Sequence, residues 1–176
     1  KNNYDLNIEI ARFYNVYGPY EIKFGKWAAV IGLWRGLAEK GKEIPIIGDG
    51  KQKRDFTHVK DIVDGLIKIA FSNESHEDAW ELGFGENFSL NDVHSFFKFK
   101  YKIKKVNLPD QKGNYRSTLR VNDDAIKKLM WEPKLKITNS WASKQEYVDV
   151  LNKEWKELKS SNKNDFFDYV NQLYFN

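Results

Sequence analysis

Apolar and polar positions divide the chain into short strands and amphipathic helices. LNIEIARF, residues 6–13, alternates with period two and predicts a first strand, which runs into the polar loop NVYGP. WAAVIGLWRGLAEKG places Ala29, Val30, Leu33, Trp34 and Leu37 on one helical face, and Gly41 suits the left-handed residue that ends such a helix. EIPIIG reads as a short strand closed by the turn GDGK. In HVKDIVDGLIKIAF the broad stripe Val59, Ile62, Val63, Leu66, Ile67 and Ala70 predicts a helix packed on a sheet. AWELGFG reads as a strand ending in glycines, and SLND opens another helix with Ser89 as N-cap and Asp92 as its capping partner.

KFKYKIKK, residues 98–105, alternates Lys with Phe, Tyr and Ile and predicts a strand with one solvated face. A helix over about 123–130 follows, with Pro133 preventing continuation. The periodicity then predicts a long amphipathic helix over 140–158 and a last short helix in DFFDYVNQLYF. Strands and helices in this order predict an α/β protein.

Composition narrows the function. With 176 residues, 41% of them apolar, the chain is long enough to bury a core. No run approaches the ~18 apolar residues of a membrane helix, and the first residues show no leader pattern, so a cytoplasmic setting and no membrane partner are expected. The absence of cysteine removes thiolate chemistry, and His58, His76 and His94 lack metal-ligand spacing, so no metal is expected. The net charge of +4 suits an anionic small molecule. The basic aromatic segment 98–105 could in principle stack single-stranded bases, but a solvated strand is the simpler reading and no nucleic-acid partner is expected.

ARFYNVYGP, GKWAAVIGLW, IPIIGDGKQKRDFTHVKDIVDGL, ELGFGENFSLND and LPDQKGNYRSTLRVNDDAIKKLMWEPK occur in that order. Together, over about residues 7–141, they resemble the C-terminal half of the extended short-chain dehydrogenase/reductases, specifically the NAD-dependent nucleotide-sugar epimerases and dehydratases of the UDP-glucose 4-epimerase type. The resemblance implies the last strands of a Rossmann-type NAD-binding sheet plus a small α/β substrate-binding domain. Residues 1–20 and 58–86 would supply sheet strands and a packing helix, 21–57 and 87–158 the substrate lobe, and 159–176 a tail. It also implies that the glycine-rich dinucleotide motif and the catalytic Tyr-x-x-x-Lys pair lie upstream of Lys1, leaving no catalytic residue here.

Neither feature is hidden inside. GFGENF and GDGKQK fail as G-x-G-x-x-G at Phe88 and Lys53. Tyr101 and Lys105 have the right spacing, but on a strand four residues span ~13 Å and do not share a helical face. The resemblance therefore implies substrate recognition without redox machinery, in a parent enzyme that oxidises the sugar transiently at C4. Its alternative is a truncated binding or structural module, in which an exposed sheet edge favours a homo-oligomer.

Arg54 matches the family's phosphate-binding arginine, and a guanidinium grips two phosphate oxygens at once; a surface arginine capping the turn is the alternative. Asn15 matches a strand-end amide that donates to the diphosphate or sugar, or it shapes the loop as an Asx-turn. Lys26 and Trp27 match positions beside the base and sugar at a helix start, although Trp27 also fits a core position. Ile47 matches a residue packing on the base. Tyr14 matches a residue near the nicotinamide ring, or is a half-buried strand aromatic. Gln111 matches a residue closing over the diphosphate, and Asn114 stands where an Asp commonly contacts the ribose. Arg116 either helps bind phosphate or pairs with an acid. His58 is expected to support the start of its helix. Asp55, Asp61 and Asp64 suggest paired carboxylates for acid/base work, but Asp61 and Asp64 are three apart on the predicted helix and are expected to form its solvated side.

Overall fold

The computed structural model describes residues 6–138, so the helices expected over 140–158 and in the last residues lie outside the described part. The elements are β1 (Ala11–Phe13), α1 (Val30–Glu39), β2 (Ile44–Ile47), β3 (Lys53–Asp55), α2 (Val59–Phe71), β4 (Trp80–Leu82), β5 (Asn87–Ser89), α3 (Leu90–Tyr101), β6 (Lys105–Leu108) and α4 (Asp124–Leu129). The strands form three pairs: β1 with β4 and β2 with β6, both parallel, and β3 with β5, antiparallel. The first strand is shorter than LNIEIARF suggests.

One core lies around β4. Trp80 and Leu82 of β4, Ile62 and Ile69 of α2, Ala125 and Leu129 of α4, and Trp131 are all buried together. α2 approaches this closely because Gly65 carries no side chain: a Cβ there would lie 2.8 Å from the Leu82 methyls and 3.0 Å from Trp131 Nε1. Gly65→Val is therefore expected to cost about 2 kcal/mol by overpacking, read as a lower midpoint in urea unfolding. The predicted stripe of α2 is only partly right, since Val63 and Leu66 are exposed while Asp61 is buried. Asp61 accepts the Leu135 N–H at 2.9 Å and so ties the segment after α4 to α2, which corrects its assignment to a solvated face.

A second apolar group joins α1, α3 and β2. Trp34 packs edge-on against Phe97 at 5.6 Å and donates its Nε1 hydrogen to Pro45 O at 3.0 Å. α1 buries Ile31, Trp34 and Ala38 with Gly32 and Gly36, not the face built on Val30, Leu33 and Leu37. The glycines decide this: a Cβ at Gly32 would meet Ile22 O at 2.3 Å, and one at Gly36 would meet the Phe24 ring at 2.8 Å, so the segment before the helix lies on that side. The helix ends as expected, with Gly41 left-handed and the N–H groups of Gly41 and Lys42 bonded to Ala38 O and Leu37 O.

α3 carries the expected capping box, Ser89 and Asp92 satisfying each other's backbone N–H. It runs on to Tyr101, however, so the strand predicted over 98–105 is not formed. Phe97 and Tyr101 are four apart and stack at 5.8 Å, a helical contact that the alternation hid. Lys102 is left-handed and β6 begins only at Lys105. Tyr101 and Lys105 thus sit on different elements, and Lys105 Nζ donates to Asn91 Oδ1 at 2.6 Å. No described helix is long and apolar enough to cross a membrane.

Candidate functional site

The site is organised by β3, whose sequence KRD contains no apolar residue and gave no strand signal. β5 pairs with one of its edges. Residues 116–118 bond to its other edge, through Lys53 N to Arg116 O at 2.8 Å, Thr118 N to Lys53 O at 3.1 Å and Asp55 N to Thr118 O at 3.1 Å. Successive strand residues face opposite sides. Arg54 accordingly turns toward the loop 111–116, whereas Asp55 turns inward.

Arg54 Nη1 donates to Lys53 O at 2.8 Å and to Tyr115 O at 2.7 Å, and Nη2 donates to Asn114 Oδ1 at 2.8 Å. All three acceptors are neutral, and no carboxylate among the described residues pairs with this guanidinium. It is half-buried, and burial alone pushes its pKa down. A partly desolvated cation without a counter-ion is an electrostatic site for an anion. Three of its five N–H groups are used, leaving two for such a ligand.

The structure brings Asn114 to Arg54 and leaves Gln111 nearby in the same exposed turn, where Asn114 N bonds to Gln111 O at 3.2 Å around left-handed Gly113. Arg116 is bidentate on Asp49, at 3.0 and 3.2 Å, and lowers the Asp49 pKa. Ile47 ends β2 half-buried, opposite Leu108.

Other expected site residues lie elsewhere. Lys26 and Trp27 occupy the turn before α1, short of the helix start, and Trp27 is 80% exposed with Lys26 Nζ 5.4 Å from its ring centre. The core reading of Trp27 is thereby excluded. Tyr14 donates its hydroxyl to Glu81 Oε2 at 2.5 Å, and burial, reinforced by that carboxylate, pushes its pKa up to about 12. No hydrogen bond or ion pair among the described residues joins Lys26, Trp27 or Tyr14 to Arg54.

Asn15 corrects an expectation. Its Nδ2 donates to Asp55 O at 3.1 Å and Thr118 Oγ1 at 3.3 Å, so its amide hydrogens tie β1's end to β3 and are not available to a phosphate. Its φ is 30°.

His58 caps α2 as expected, its Nδ1 accepting the Lys60 N–H at 3.1 Å. Burial, with the charges of Lys60 and Arg35, pushes its pKa from 6.5 down to about 4. The folded protein thus keeps this ring neutral while the unfolded chain binds a proton below 6.5, so stability held above that pH is lost as pH falls toward 4, by about 3 kcal/mol. Urea unfolding at pH 7 and 4.5 should show this loss, and His58→Asn, which keeps a cap acceptor but does not titrate, should remove much of it.

Asp55, which the sequence offers only as one of a possible set of carboxylates for acid/base work, is instead a buried acceptor. It is fully buried, and its carboxylate accepts the N–H groups of Phe84 at 2.8 Å, Gly85 at 3.0 Å and Arg120 at 3.2 Å and the Thr57 hydroxyl at 3.3 Å. The only sequence signal was an acid flanked by aromatic and hydroxyl residues in RDFT. No group of acidic and histidine residues among those described could hold a metal.

Residues 1–83 match the model of the NAD dependent epimerase/dehydratase family. The UDP-glucuronate 4-epimerase of Thermodesulfobacterium geofontis is 32% identical over 76% of this chain and 41% of its own length. The structure of UDP-glucose 4-epimerase with UDP-glucose from Thermotoga maritima superposes with a TM-score of 0.74 at 27% identity, over 85% of this chain and 48% of that one. MoeE5 in complex with UDP-glucose and NAD superposes with a TM-score of 0.67 at 26% identity, over 80% and 46%. The chain belongs to the extended short-chain dehydrogenase/reductases, in their NAD-dependent epimerase/dehydratase family, and its α/β fold is Rossmann-like. It spans about two fifths of the length of the curated relative and about half that of the solved structures.

Proposed function

We propose that this chain forms the nucleotide-sugar-binding portion of an NAD-dependent epimerase or dehydratase that oxidises its sugar transiently at C4. The observation that carries the reading is the Arg54 guanidinium, half-buried, unpaired with any described carboxylate and framed by Asn114 and Tyr115. A diphosphate would take its two remaining N–H groups in charge-assisted bonds. Ile47 and exposed Trp27 offer apolar surface for a base, and Lys26, Gln111 and Asn114 offer donors around the sugar and ribose. These groups bind and orient; they do not move protons.

NAD, when bound, accepts and returns hydride. Of the residues here only Tyr14 is a candidate to touch it, and since its hydroxyl is committed to Glu81 it would offer a ring surface, not a donor. In this reading residues 1–20 and 58–86 serve the sheet and 21–57 with 87–138 the substrate, and the setting is cytoplasmic. The alternative reading is a binding module without redox activity of its own.

Calorimetric titration with UDP, GDP and dTDP, each against its own nucleoside, tests the shared claim. At least one diphosphate should bind at least tenfold more tightly than its nucleoside, and equal binding of every pair would refute it. Nucleotide-sugar turnover with added NAD then separates the two readings.

A further inference from the structure

We propose that Asp55 is a positioning residue of the diphosphate site, setting the geometry of Arg54 from the opposite face of β3; this rests on the reading of Arg54 above. The two side chains are adjacent in sequence and clamp one segment from both ends. Arg54 holds Asn114 Oδ1 and Tyr115 O at its start, and Asp55 Oδ2 holds the Arg120 N–H at its end. Between them, the backbone of residues 116–118 is laddered to β3 itself. Movement of Asp55 is therefore passed to the acceptors that aim the guanidinium.

The carboxylate is built to act as a template. Its hydrogen-bond donors are three backbone N–H groups and one hydroxyl, with no cationic side chain among them. Arg120 directs its guanidinium to Gly83 O and Asp123 instead. Donors in fixed backbone hold one orientation, where a flexible ion pair would allow several. The loop Gly83–Gly85 closes tightly over it: a Cβ at Gly83 would lie 2.7 Å from Asp55 Oδ2 and 3.0 Å from the Tyr14 ring. Thr57 links the same parts, its hydroxyl donating to Asp55 Oδ1 and accepting the Phe84 N–H at 2.9 Å.

Asp55→Asn, Thr57→Val and Thr57→Ser test this through two readouts, measured where circular dichroism shows each variant folded. One is the ratio of UDP to uridine affinity; the other is the Arg54 Nε–Hε resonance in ¹⁵N spectra. Asp55→Asn and Thr57→Val should each lower the ratio about tenfold and displace the resonance, while Thr57→Ser, which keeps the hydroxyl, should restore both. A purely structural role would lower thermal midpoints but leave ratio and resonance at wild-type values, and would overturn the inference. If Asp55→Asn does not fold, Thr57→Val, which retains the carboxylate, carries the same decision. If the wild type prefers GDP or dTDP over its nucleoside, that pair replaces UDP and uridine in the ratio. Should it distinguish none of the three diphosphates from its nucleoside, the functional reading fails, and the resonance alone decides for Asp55 if it moves and against it if it does not.

Discussion

Arg54→Ala should weaken diphosphate binding about 100-fold while changing nucleoside binding less than about twofold. The magnitude follows from losing charge-assisted hydrogen bonds worth about 1.5–3 kcal/mol at a partly desolvated position. Arg54→Lys should recover little of it. A single ammonium cannot hold Asn114 Oδ1 and Tyr115 O and also fork two phosphate oxygens, as the planar guanidinium can. The same loss frees the loop 111–116, so its amides should exchange with solvent faster in the alanine variant. Calorimetry on the wild type and both variants, with diphosphate and nucleoside, gives the comparison. An equal loss for both ligands would mean that the arginine only supports the fold.

Asp55→Ala should be strongly destabilising, at about 4 kcal/mol. It leaves the N–H groups of Gly85 and Arg120 with no acceptor and the Phe84 N–H with Thr57 Oγ1 alone, at about 1–3 kcal/mol for each group that finds no new partner. Partial relaxation keeps the total below the sum. Urea unfolding followed by tryptophan fluorescence measures this, since Trp80 and Trp131 lie in the core beside β4. Asp49→Ala makes the control. It removes an exposed carboxylate paired with Arg116, and should leave the urea midpoint close to the wild-type value.

The features legible in the sequence are those written in local chemistry. The capping box at Ser89 and Asp92, the left-handed Gly41, the His58 cap and the end of α4 before Pro133 each depend on a few neighbouring residues, and each is found in place. What escaped depends on distant partners. β3 is a strand because β5 and residues 116–118 flank it, not because KRD favours one. The face of α1 is chosen by Gly32 and Gly36 receiving the chain at Ile22 and Phe24, a contact no periodicity records. In 98–105, period-two alternation coincided with an i, i+4 aromatic pair, and the helix won because Ser89 caps it and Phe97 is buried against Trp34.

The site shows the same division. Arg54 could be singled out because it matches the phosphate-binding arginine that the family resemblance implies, and the structure leaves it without a carboxylate partner among the described residues. Asn15 was misjudged because its polar side chain at a strand end looks the same whether it faces a ligand or, as here, the carbonyl of a residue forty positions on. The buried role of Asp55 was illegible for a related reason, since the groups it serves come from two loops far along the chain.

The most direct measurement is a ¹⁵N-arginine spectrum of the chain titrated with a nucleoside diphosphate it binds and then with the matching nucleoside. A diphosphate seated on Arg54 should shift that residue's Nε–Hε resonance progressively to saturation, with the nucleoside leaving it in place. Saturable binding of the diphosphate with the Arg54 resonance unmoved would contradict the account.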